Sequence, residues 1–402
     1  MQILFIIIWI LLFVVLILIH ELGHFIAAKK AWVKVLEFGF GIPPRAFKFY
    51  TDKSWTEYTI NWIPLWWFVR LKWESPENEE EFNAPDSFMW VNIWKKLTIL
   101  LAWISMNLVF AWILFTIIFT IWIKPMQLLP KNALPVETHS YLMPTEEFLT
   151  QQWFLTGKSI AVPLEVIDVS PNGLAAKNDI LSWDIFLTIN NNPVDSLNIW
   201  TLLKDNYGKS FDLKIQRWDQ QIDKNITCPP DSCLLNIIHS WSGDTQMIPI
   251  KFDFVTAMWV SVIEMKEETV LTYHLLWALF SNLVSMNKQR IQSSMEKMSG
   301  PIWAVKVGEI ILQYFGFLHY LSFAAMISLA LWIFNVLPIP ALDWWRTLWI
   351  LIQKIFRLKP EKYFTFENYV NMIFFILLMW FGIYVMLLDL QRFWNVSIPW
   401  IW

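Results

Sequence analysis

The sequence predicts an α-helical membrane protein with about four transmembrane helices, a membrane-associated β-hairpin region and an inserted α+β domain. Three observations carry this. Hydrophobic residues make up 56% of the 402 and charged residues only 16%, where a soluble chain carries nearer a quarter. Four apolar runs approach the roughly 20 residues that a helix needs to cross a bilayer. Between the second and third runs lies a polar segment, about 125–255, whose β-rich pattern reads as a soluble insert.

The first run, Ile3 to Ile19, is unbroken and ends at His20. It lacks a basic leader and a small-residue cleavage site, so it reads as a first transmembrane helix, about 3–24, rather than a signal peptide. Residues 29–95 are mixed and charged, with strand-like stretches at Val33–Phe40 and Phe47–Tyr50, which places a re-entrant β region at about 33–72. The second span is expected at about 97–123. After the insert, Leu271, Leu275, Leu276, Leu279 and Phe280 recur at helical spacing within 267–290, which suits a helix lying on the membrane surface. The last two spans are expected at about 317–337 and 368–390. The chain thus divides into a first half of the membrane core (1–124), the insert (125–255) and a second half of the core (256–402).

Lys and Arg crowd the loop between the first two spans and the loop between the last two, so the positive-inside tendency puts both in the cytoplasm. The insert then faces the other side. A formal net charge of −3 leaves no basic surplus for a nucleic-acid partner. Cys228 and Cys233 are too few for a disulfide framework; they could close one small loop in an oxidising compartment, or remain two free thiols.

The chemistry gathers at His20-Glu21-Leu22-Gly23-His24. Residues i and i+4 share a helix face, so His20 and His24 can grip one metal ion, with Glu21 placed to take a proton from a metal-bound water. Ionisable residues at the end of an apolar span are costly and rarely stand there without a function. A catalytic zinc needs a third protein ligand, and the candidate is Asp343 in Asn335-Val-Leu-Pro-Ile-Pro-Ala-Leu-Asp343. The two prolines remove helical hydrogen bonds and unwind the chain there. Irregular backbone at membrane depth is tolerated where protein covers it or it lines a cavity.

With both motifs ending spans, the chain resembles the site-2 protease family, in its bacterial branch with a PDZ insert. Further matching segments are Glu37-Phe-Gly-Phe-Gly-Ile-Pro-Pro44, Ile63-Pro-Leu65 before Phe68-Val-Arg70, Met106-Asn107 and Gly300-Pro301. The segment Val166 to Asn190 is similar to a PDZ core, giving a PDZ-like domain at about 160–222. The resemblance implies Zn2+ on His20, His24 and Asp343, Glu21 as catalytic base, and a substrate-contacting amide at Asn335. It also implies that the Glu37–Phe49 hairpin, with Gly39, Phe40 and Gly41, dips into the membrane and pairs with an unwound substrate, since a helical peptide bond is shielded by its own turn. Implied partners are single-pass membrane substrates such as anti-sigma factors or remnant signal peptides, the lipid bilayer, and peptide or protein termini at the PDZ-like domain. The implied location is the bacterial inner membrane, with the insert extracytoplasmic and the active site near the cytoplasmic face.

The departures from the family share one form. Trp344-Trp345 stand where the family has Gly-Gly after the aspartate, Trp66-Trp67 stand in Pro64-Leu65-Trp66-Trp67-Phe68, and Trp183 precedes Asp184 at a Gly-Asp turn. Trp32, Trp73, Trp103, Trp218, Trp303 and Trp332 repeat the exchange. The chain holds 28 Trp and 11 Gly, whereas ordinary usage gives about 28 Gly in this length. Positive φ tolerates Gly and penalises a bulky side chain, so the expectation is a gene whose UGA codons specify glycine. If the tryptophans are genuine, the alternative is a catalytically inactive scaffold that binds through its PDZ-like insert. A transporter would need two similar halves with paired broken helices, and no such symmetry is present in the sequence.

Overall fold

A computed structural model describes residues 2–72, 86–88, 91–125, 139–152, 154, 163–169, 173–195, 198–229, 233, 235, 237–239, 249–285, 300–356 and 360–394. It divides into two compact units, Met1–Thr116 with Val307–Phe381, and Ile117–Lys306 with Gly382–Trp402. Among the described residues four helical stretches are long and apolar enough to cross a membrane: Leu4–Lys30, Ile93–Ile121, Phe317–Val336 and Phe366–Gln391. Each overlaps a run expected from hydropathy.

In the first unit the helix Gln2–Lys30 runs on past its apolar stretch through His20, Glu21 and His24. It ends in a Schellman motif: Val33 N–H reaches back to Ala28 O (3.0 Å) and Trp32 N–H to Lys29 O (3.2 Å). Two long strands follow, Val35–Thr51 and Glu57–Leu71. The two short strands expected in this region are therefore one element. Pro43 and Pro44, which have no N–H to give, fall in a register break between Ile42 and Arg45.

The strands pair twice. Glu37 to Phe40 have partners at 67–70 on one flank and at 57–60 on the other, while 47–51 pair with 57–60 beyond. The buried Glu37 carboxylate ties these ribbons together, accepting from Thr59 Oγ1 (2.7 Å) and pairing with Arg45 and Arg70 (3.1 Å each). One face of the sheet packs Val35, Phe38, Val69 and Leu71 against Ala27, Ala28 and Ala31 at the end of the first helix, with Ile99 and Leu100 completing the core.

In the second unit the insert forms an antiparallel sheet. Its strand order is Gln220–Thr227, Ser210–Arg217, Ile185–Ile189, Leu164–Val169, Ile237–His239, with Asn192–Pro193 beside Ile185–Ile189. Short helices at Leu174–Lys177 and Ile199–Asp205 accompany it, over a core that includes Leu164, Val166, Phe186, Phe211, Leu213 and Ile226. Asp184, fully buried, receives Arg217 through two charge-assisted bonds of 2.7 and 2.9 Å. The expected limit at 222 is too early. Gln220–Thr227 pairs along all of Ser210–Arg217, Cys228 and Cys233 join in a disulfide, and Leu235 is buried in the same core, so the folded sheet extends to His239. The helix expected at 267–290 begins earlier, at Phe254, and its described part ends at Val284. Leu275, Trp277, Phe280 and Val284 on it are exposed.

Among the described residues eight non-glycine residues have positive φ, and four are tryptophans: Trp32 (65°), Trp55 (61°), Trp183 (73°) and Trp218 (57°). Trp32 occupies the Schellman position where glycine is strongly preferred. Trp218 is the first residue of the two-residue loop between Arg217 and Gln220, again a glycine position in hairpins. The four indoles are 58–85% exposed, so no packing holds them there. Trp344 and Trp345 are expected at a sharp turn after the aspartate, and the turn falls earlier. They lie in a helix, Asp343–Phe356, and the left-handed residue of that turn is Ala341 (74°). The side chains of Trp66 and Trp103, and all of Trp73, lie outside the described residues.

A Cβ in the left-handed region costs about 1–2 kcal/mol. Trp183→Gly and Trp218→Gly, made separately in the full-length chain, should each raise the thermal unfolding midpoint. An unchanged or lower midpoint in both would remove the glycine interpretation of these positions.

Candidate active site

The first helix carries His20, Glu21 and His24 within one turn, and Glu21 and His24 are buried. Gly23 lets the second helix come close. A Cβ there would meet Ala102 O at 2.7 Å and Met106 Cγ at 2.5 Å. That approach lets His24 Nδ1 donate to Ile99 O at 3.2 Å, a bond that fixes the ring and leaves Nε2 as its lone-pair nitrogen.

The third ligand candidate arrives from a broken helix. Phe317–Val336 ends just past Asn335, which is half-buried in its last turn. Pro338 and Pro340 forbid continuation, and the chain folds through Ile339 N–H to Leu337 O (2.8 Å) and Leu342 N–H to Ile339 O (3.2 Å). Ala341 takes positive φ, and its N–H donates to Asn371 Oδ1 of the fourth span at 3.1 Å. A new helix then starts at Asp343. Its Oδ2 stands 3.2 Å from His20 Nε2, with the two side chains 14% and 12% exposed.

Asp343 Oδ2 is buried and takes no hydrogen bond despite that closeness. Two ligands of a tetrahedral zinc, each about 2.0–2.2 Å from the ion, stand roughly 3.4 Å apart. The observed separation and the imidazole–carboxylate chemistry therefore fit a shared ion. Among the described residues no three His, Cys, Asp or Glu side chains close around one point; the structure brings His20 and Asp343 together and places His24 one turn further along the same helix. Beside Asp343 is a cavity of about 350 Å3, lined by Leu100, Leu342, Arg346, Asn371, Met372 and Phe375 among others. It offers room for water, with Arg346 and Asn371 among its polar lining residues.

The residues expected to meet a substrate strand sit differently. Gly39 and Phe40 have partners on both flanks, and the Gly41 carbonyl accepts from Asn61 Nδ2 at 2.9 Å. In this arrangement none of the three presents an open edge; the outer ribbons are 47–51 and 67–71. Sequence reasoning passed over Arg346 and Asn371, and gave Asn107 no role. A polar residue inside an apolar span was the available signal.

Comparison with known proteins follows the same lines. The family described as Peptidase family M50 matches residues 8–381. The Zinc metalloprotease RasP of Oceanobacillus iheyensis is 25% identical over 438 residues, covering 96% of this chain and 98% of that protein. The Regulator of sigma-E protease RseP of Salmonella typhimurium is 23% identical over 409 residues, covering 85% and 88%.

Asp343→Ala should lose most of the zinc that the purified wild-type chain retains, measured by metal analysis after dialysis. Full occupancy in the variant would remove Asp343 from the site.

Proposed function

We propose that this chain, which belongs to Peptidase family M50, the site-2 proteases, cleaves single-pass membrane proteins within their transmembrane segments. It is a zinc metalloprotease of the site-2 type and an integral membrane protein. The observation that carries the reading is the 3.2 Å approach of His20 Nε2 and Asp343 Oδ2. Two residues far apart in sequence, His20 within the first span and Asp343 just past the third, meet where an isolated charge would be costly.

His20, His24 and Asp343 would hold the ion, leaving one coordination position open. Zinc bound there supplies Lewis acidity and makes water reactive near neutral pH. Glu21 accepts the proton of the attacking water as its oxygen bonds to the peptide carbonyl carbon. It then delivers that proton to the leaving nitrogen as the C–N bond breaks. Asn335 and the cavity beside Asp343 orient the scissile segment. The substrate, unwound, lies against an outer ribbon of the sheet, whose interior Gly39, Phe40 and Gly41 shape. Suitable substrates are anti-sigma factors or remnant signal peptides trimmed beforehand, with the PDZ-like insert docking termini or excluding untrimmed chains.

In this reading the insert lies outside the cytoplasm of a bacterial inner membrane and the zinc site near the inner face. The Cys228–Cys233 disulfide, which suits an oxidising compartment, supports that side. An impermeant thiol reagent added to intact cells after reduction should label both cysteines; labelling only from the cytoplasmic side would reverse the orientation. A second reading is an inactive PDZ-bearing scaffold. It is favoured by Trp344 and Trp345, which follow Asp343 directly where the family has Gly-Gly.

Glu21→Gln separates the two. In vesicles bearing a single-pass reporter, the variant should keep zinc yet cleave about two or more decades more slowly than wild type. Equal cleavage by both would exclude Glu21 as the base. A wild type that binds no zinc and cleaves nothing would favour the scaffold.

A further inference from the structure

Asn107 lies in the second span, 1% exposed. Its backbone carbonyl accepts from Ser328 Oγ at 2.9 Å, which fixes the second helix to the third span at this level. Its side-chain amide faces the metal-side histidine: Nδ2 as placed is 3.2 Å from His20 Nδ1, while Oδ1 is buried without a hydrogen-bond partner. The two ends of an amide are nearly alike in shape, so the surrounding network decides which end faces the ring.

With Nδ2 donating to Nδ1, the imidazole proton must sit on Nε2, the nitrogen beside Asp343 Oδ2. That oxygen nevertheless takes no hydrogen bond. A cation shared by His20 and Asp343 needs the opposite tautomer, with a lone pair on Nε2 and the proton on Nδ1. The amide facing Nδ1 must then present an acceptor, and turning Asn107 over places Oδ1 there.

We infer that Asn107 is a positioning residue of the zinc site, whose side-chain oxygen accepts the His20 Nδ1–H and so holds the ring in the tautomer that binds metal. Partners of this kind orient a ligand and raise its basicity, and losing one typically weakens metal binding about 10–100-fold. The inference rests on the zinc reading of His20, His24 and Asp343. Zinc retention by the wild type tests that reading on its own.

The experiment is chelator competition for zinc with the full-length chain in lipid nanodiscs, comparing wild type, Asn107→Leu and Asn107→Asp. Leu matches the shape and offers no acceptor; Asp offers only acceptors. The expected result is an affinity about 10–100-fold lower for Asn107→Leu, with Asn107→Asp binding as wild type does. Wild-type affinity in Asn107→Leu would overturn the proposal, as would an Asn107→Asp as weak as Asn107→Leu, which would mark a donating or purely structural role. Should either variant not fold, 15N shifts of His20 in the zinc-loaded wild type decide the matter. A protonated Nδ1 with metal on Nε2 supports the assignment, and a protonated Nε2 overturns it. A wild type that holds no zinc removes the zinc reading and this inference with it.

Discussion

Between Leu337 and Asp343 the chain cannot be helical, because Pro338 and Pro340 supply no N–H and their rings clash with the preceding turn. In hydrocarbon an unsatisfied backbone group costs several kcal/mol, so such a break persists only where other groups take up the bonds it frees. Here the loop bonds to itself at Ile339 and Leu342, and Asn371 takes the Ala341 N–H. The new helix therefore starts with its first carboxylate turned back toward the first span. An unbroken third span would carry Asp343, seven residues past Val336, about two turns further along its axis. The approach to His20 depends on the break, and the break depends on a side chain from the last span.

Much of this was legible in the sequence, for identifiable reasons. The spacing of His20 and His24 fixes a shared helix face whatever the tertiary fold, and a Pro-x-Pro before an acid at a span end marks unwound backbone. The partners of Asn107 and Asn371 were not legible. An asparagine in an apolar helix announces that it has a partner but not which neighbouring helix carries it. The sheet was half legible. Strand-like stretches were plain on both sides of Pro43-Pro44, at Val33–Phe40 and Phe47–Tyr50. Only the three-dimensional register shows the strand passing through the prolines and 37–40 acquiring two flanks.

The tryptophans bear on the same distinction between local and long-range information. At Trp32 the requirement for glycine is local, set by two hydrogen bonds across a helix end, and the backbone keeps the glycine conformation although an indole stands there. At Trp345 the demand is one of packing. The ring stacks on Trp349 with centroids 5.8 Å apart, and the indole nitrogens of both are buried without acceptors.

Gly23 can be treated as a ruler. Its missing Cβ is set by the Ala102 carbonyl of the facing helix, not by the chemistry of the histidines one residue on and three back. The residue at this position in any related chain therefore reports an interhelix distance: glycine where the helices touch, a larger residue only where the second helix stands off. A relative with a bulky residue there must also find another acceptor for its second histidine, because a helix held further off could no longer bring a carbonyl to that ring. A related structure combining a large side chain with this same close helix pair would contradict the reading.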